Sequence, residues 1–102
     1  MVKHIILWDH GDNFTPEEKR KNAENIKAGL EGLRGVIPGL VKINVYTQMM
    51  EGSNAELVLD STFENKAALE GYQVHPAHVK VATEIVRPHV KNRRCADFDD
   101  GE

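Results

Sequence analysis

The chain has 102 residues, 40% hydrophobic and 28% charged, with a formal net charge of −3. That suits one domain over residues 1–102 and argues against a nucleic-acid binder, which needs a basic patch. A single cysteine excludes an intrachain disulfide, and the apolar run Ile5-Ile6-Leu7-Trp8 is far too short for the ~20 residues that cross a bilayer. A cytoplasmic protein without a membrane partner is expected.

Residues 2–9 read as a strand, with Val2, His4, Ile6 and Trp8 on one face and Lys3, Ile5 and Leu7 on the other. Apolar side chains on both faces predict a strand covered on both sides. Gly11, Asp12 and Asn13 mark a loop. Thr15-Pro16-Glu17-Glu18 is a helix start: threonine caps, proline suits the first turn and Glu18 completes a capping box. Ala23, Ile26, Leu30, Leu33 and Ile37 form its apolar stripe. Gly29, Gly32 and Gly35 weaken the later turns, and Pro38-Gly39 ends the element.

A second strand is expected over 40–48, with Val41, Ile43 and Val45 alternating against Lys42, Asn44 and Tyr46. A turn at Gly52-Ser53-Asn54 leads to a third strand over 55–63, with Leu57, Leu59 and Phe63 on one face. Residues 65–71 form a short helix. His75 caps another that begins at Pro76 and runs to about Arg87, where Pro88 interferes. Residues 93–98 make the last strand, in which Cys95 reads as a small buried side chain. Lys91, Arg93 and Arg94, followed by Asp97, Asp99, Asp100 and Glu102, read as a charged, solubilising end.

The order β-α-β-β-α-β predicts an α+β, ferredoxin-like protomer: a four-stranded antiparallel sheet with the helices on one face. The bare face then needs a cover. A second copy packed sheet to sheet, as a dimeric α/β barrel, supplies it.

The chemistry concentrates in Tyr72-Gln73-Val74-His75-Pro76-Ala77-His78. His78, Val81, Ala82 and Ile85 follow the i, i+3, i+4, i+7 spacing, so His78 lies on the inward stripe of its helix. Two readings of it stand: a core histidine satisfied by a partner, or an acid–base group in a pocket. Tyr72 is likewise either a packed ring with a wet hydroxyl or a pocket group. His4 shares a strand face with Ile6 and Trp8, and meets Tyr72 and His78 if that face is the inner one. His10 and His89 read as exposed. No paired-cysteine or His-Glu-x-x-His spacing, glycine-rich phosphate loop or G-x-S-x-G elbow occurs.

Val2-Lys3-His4-Ile5-Ile6-Leu7, the Ile37-Pro38-Gly39-Leu40 turn and the Tyr72-x-x-His75-Pro76-x-His78 block together resemble the stress-responsive A/B barrel (Dabb) family along nearly the whole chain. The resemblance implies a homodimeric α/β barrel and no cofactor. Many members have no established reaction. A plant polyketide cyclase of the family performs an aldol cyclisation without a redox cofactor, and its catalytic tyrosine and histidine match Tyr72 and His78. If that chemistry carries over, His78 is the general base, Tyr72 donates to a substrate carbonyl, and His4, Ile6, Trp8 and Val81 border the substrate. Plant members can also hold a cation on main-chain oxygens that match Arg34, Ile37 and Leu40.

Three functions follow as expectations. The first is a domain of undefined activity that binds a small, partly apolar molecule as a homodimer. The second is a cofactor-independent cyclase or lyase. The third is a structural stress protein whose histidines only organise the core.

Overall fold

The computed structural model describes every residue, Met1–Glu102. Its elements run β1 (Val2–His10), α1 (Pro16–Glu31), β2 (Leu40–Tyr46), β3 (Leu57–Phe63), α2 (Lys66–Val74), α3 (Pro76–Val81) and β4 (Val90–Asp99). The strands form one antiparallel sheet in the order β2-β3-β1-β4, the ferredoxin-like arrangement expected from the element order.

The local signals act as the chain predicts. Thr15 accepts from the Glu18 N–H while the Glu18 carboxylate accepts from the Thr15 N–H, so both halves of the capping box form. Asn65 caps α2 through the Ala68 N–H, and the His75 ring accepts from the Ala77 N–H at the start of α3. Ala23, Ile26 and Leu30 of α1 pack with Leu33 and Ile37 onto the sheet face that carries Ile6, Trp8, Val45, Leu57, Leu59 and Phe63.

Four readings need correction. Val41 is exposed, because a bulge between Leu40 and Lys42 adds a residue opposite β3; the inward set becomes Leu40, Ile43 and Val45. Cys95 is exposed rather than buried: β4 is an edge strand paired only with β1, and little of the helical layer extends over it. The helix begun at Pro76 is not continuous. After Val81 the chain widens into a π turn over Ala82–Val86, where the Arg87 N–H reaches back to the Ala82 carbonyl, and closes as a 3-10 turn over Arg87–His89. Pro88 offers no N–H to prolong the α-ladder. Finally, His10 and His89 are half-buried. The His89 Nδ1–H donates to the Ile85 carbonyl at 2.7 Å, which satisfies one of the oxygens freed at the broken helix end.

The outward face of the sheet carries Ile5, Leu7 and Val58 near its centre and Tyr46 and Phe98 towards its edges. The last two are 49% and 48% exposed. Lys3 ties this face together by donating to Asp60 at 2.6 Å and Thr62 at 2.9 Å.

Candidate functional site

A cavity of about 270 Å³ lies between the inner sheet face and the broken helix. Ile6, Trp8, Leu30 and Leu59 give it an apolar base, and Ala82 and Val86 cover it. His4, Tyr72 and His78 form its polar wall, while Arg87, Lys91, Asn92 and Arg93 border it from the 3-10 turn and β4.

His4 projects inward because its strand position alternates with Lys3 and Ile5, and its register partner on β4 is Asp97. The carboxylate accepts from His4 Nδ1 at 2.5 Å, which leaves Nε2 as the unprotonated nitrogen when the ring is neutral. The ring is 3% exposed and sits edge-on to Tyr72 with centroids 6.0 Å apart. Burial acts to raise the Asp97 carboxyl, but the hydrogen bond and charge of His4 outweigh it and hold the group below its usual range.

Tyr72 projects from the last turn of α2 and is 1% exposed. Its ring packs on Phe63 at 4.9 Å and lies over His78 at 4.0 Å with an interplanar angle of 33°. Burial pushes the phenol well above its ordinary pKa, so the hydroxyl stays protonated and serves as a donor. That hydroxyl and His78 Nδ1 are both buried without a protein partner. Nδ1 of His78 is thus unpartnered, but a hydrogen bond with the Gln73 backbone holds the ring, so the partnered core histidine, one of its two readings, keeps support of its own.

Burial also lowers the His78 pKa from 6.5; the Gln73 backbone opposes the shift, while His4, Arg87 and Arg93 add to it. Burial lowers His10 in the same direction. A folded value below the unfolded one means that the unfolded chain binds more protons in the interval between them. The stabilisation is present above about 6.5 and is lost as pH falls through that interval. The urea midpoint should accordingly fall between pH 7 and pH 5, and His78→Gln should flatten the dependence. A midpoint that is level or rises on acidification in the wild-type protein would contradict a neutral, half-buried His78.

Val81 is not among the cavity-lining side chains. It packs towards α1, where its Cγ1 lies 3.1 Å from the place a Cβ on Gly29 would occupy. The main-chain oxygens of Arg34, Ile37 and Leu40 lie away from the cavity, around the α1–β2 connection, and the Ile37 carbonyl already accepts from the Leu40 N–H at 3.3 Å.

Sequence reasoning missed Asp97, Arg87, Arg93 and Gln73 as site residues. Asp97 and Cys95 alternate onto one face of β4, but only the strand register places them opposite His4 and Ile6. Cys95 Sγ is 3.4 Å from Asp97 Oδ1 and 3.9 Å from His4 Nδ1. Burial, then the hydrogen bond and charge of Asp97, raise the thiol pKa, so Cys95 is a protonated neighbour rather than a ready nucleophile.

Residues 2–100 match the model of the Stress responsive A/B Barrel Domain. The chain belongs to that family. It is 28% identical over 88 residues to the stress-response A/B barrel domain-containing protein HS1 of Arabidopsis thaliana, covering 80% of this chain and 74% of that protein. A dimeric protein of unknown function with a ferredoxin-like fold, from Bacteroides fragilis, superimposes with a TM-score of 0.86 at 33% identity, over 96% of this chain and 94% of that one. Hydroxynitrile lyase from Passiflora edulis superimposes with a TM-score of 0.76 at 17% identity, over 95% of this chain and 90% of the lyase. At that identity the likeness is one of fold. No helix of this Dabb domain is long and apolar enough to cross a membrane.

Proposed function

We propose that this Dabb domain acts as a homodimer that binds a small, partly apolar molecule in the cavity between helices and sheet. The observation that carries the reading is the pairing of apolar walls with two buried polar atoms, Tyr72 Oη and His78 Nδ1, that no protein group satisfies. Leaving such atoms unpaired costs about 1–3 kcal/mol each, which a ligand carbonyl or hydroxyl recovers. The half-exposed Tyr46 and Phe98 on the outer sheet face support the dimer, as does the dimeric Bacteroides relative.

A second reading adds chemistry to the same pocket. His78 is held neutral, Tyr72 is held protonated, and Asp97 orients His4. A neutral His78 can take the proton from a carbon beside a carbonyl, while Tyr72 donates to the enolate oxygen that develops. That sequence needs no cofactor and suits a cyclase or lyase acting on a carbonyl compound.

A saturation-transfer NMR screen with small aromatic and acyl carbonyl compounds tests the binding, and light scattering tests the dimer. Tyr72→Phe and His78→Gln should each weaken a hit by roughly tenfold while keeping the fold and the dimer. For a compound that is turned over, both should lose most of the rate. Hits bound equally well by both variants would remove the pocket reading. Variants that lose only stability, with no compound bound by the wild type, would favour a structural stress protein.

A further inference from the structure

We infer that the molecule bound in this cavity is a carboxylate with an apolar body, its anionic group held at the mouth by Arg87 and Arg93. The inference rests on the binding reading above and adds the ligand class.

The cavity is apolar at its base and cationic at one side of its opening. Strict strand alternation would turn only every second residue of β4 towards it. Between Leu7 and Asp9, however, the β1–β4 register shifts, and Asn92 takes a positive φ of 55°. This bulge brings three consecutive residues, Lys91, Asn92 and Arg93, to the cavity lining. Arg87 reaches the same lining from the 3-10 turn that follows the π turn. Two irregularities, one in the sheet and one in the helical layer, thus deliver cations to a single opening.

The nearby carboxylates are engaged elsewhere. Lys91 is paired with Asp12 at 2.5 Å. Asp9 takes Arg94 and Asn92; Asp97 takes His4 and feels the Arg93 charge without closing an ion pair with it. Arg87 and Arg93 enter none of the ion pairs of the chain. Both guanidinium charges reach the interior, since each depresses His78 and Arg93 also acts on Tyr72. In a chain of net charge −3, two arginines outside every ion pair, beside two unpaired buried polar atoms, form an arrangement suited to a bipolar guest. A guanidinium fork matches a carboxylate in shape and charge, and the apolar base takes a ring or short acyl chain.

Isothermal calorimetry with three probes tests this: 3-phenylpropanoate, its primary amide 3-phenylpropanamide, and inorganic phosphate. The carboxylate should bind on the order of tenfold more tightly than the amide, with phosphate weaker than both. Arg87→Gln and Arg93→Gln should each remove most of that preference, weakening the carboxylate several-fold more than the amide. Lys80→Gln, an exposed cation outside the cavity lining, should change neither. Added salt should erode the preference. Equal binding of amide and carboxylate, or equal losses for both in the arginine variants, would overturn the anion claim and leave the pocket intact. Phosphate binding as strong as the carboxylate would also overturn it, because the apolar body would then contribute nothing. Failure of both organic probes to bind would overturn the inference together with the pocket reading.

Discussion

Gly39→Ala should destabilise the domain by roughly 2–5 kcal/mol. Gly39 has φ +82°, a region that costs an L-residue about 1–2 kcal/mol. A Cβ there would also lie 2.4 Å from the Ala68 Cβ. That neighbour is fixed to the backbone of α2 and cannot swing aside, so an overpacking cost of about 1–3 kcal/mol adds to the first. The Gly39 carbonyl meanwhile accepts from the Glu64 N–H at 2.9 Å, which holds the entry to α2 in place. Displacing that helix displaces Tyr72. Thermal unfolding should report a midpoint lower by about 10 °C or more. Gly35→Ala provides the control: φ is also +82°, but nothing lies within 4 Å, so only the backbone cost applies. Equal effects at the two positions would refute the close approach of Ala68.

Phe63→Ala should cost about 3–5 kcal/mol, the range for deleting a buried aromatic ring. Phe63 is fully buried at the end of β3, opposite Val2 on β1 and Leu40 on β2. Its ring also supports the polar wall of the site, 4.9 Å from Tyr72 and 6.4 Å from His4 between centroids. The truncation should therefore lower the urea midpoint and also loosen Tyr72, read as a weaker near-ultraviolet circular dichroism signal. Phe63→Leu keeps much of the volume and should lose less than half as much. A loss below about 1 kcal/mol for the alanine variant would mean that the core closes over the gap, contrary to the packing described.

These two positions show how the site was only partly legible. Val2-to-Trp8 alternation, the Thr15–Glu18 box and the His75–Pro76 start are signals within a few residues, and each produced the element it predicts. His4 points inward because the strand face it shares with Ile6 and Trp8 is the core face, whereas Tyr72 lies within α2, beyond the helix expected over 65–71, and no periodicity placed its ring. The close approach of Gly39 to Ala68, by contrast, joins residues on different elements, and no local pattern specifies it. Lys91, Arg93 and Arg94 read as a solvated cluster because their order along the chain does not disclose the bulge that directs Arg93 and Lys91 to the cavity and Arg94 to Asp9. Val41 was misplaced for a similar reason: one extra residue reverses the face of those before it, while alternation alone assumes an unbroken ladder.

The amino-acid sequence by itself determined the order of strands and helices, their caps and the apolar faces that must meet, because those depend on backbone propensity and short-range periodicity. Tertiary structure decided the partner of His4, the exposure of Cys95, the break after Val81 and the cationic opening of the cavity. Each of these depends on which strand lies beside which and where a ladder slips by one residue. Such long-range pairings are settled by packing the whole sheet at once, so no short stretch of chain contains them.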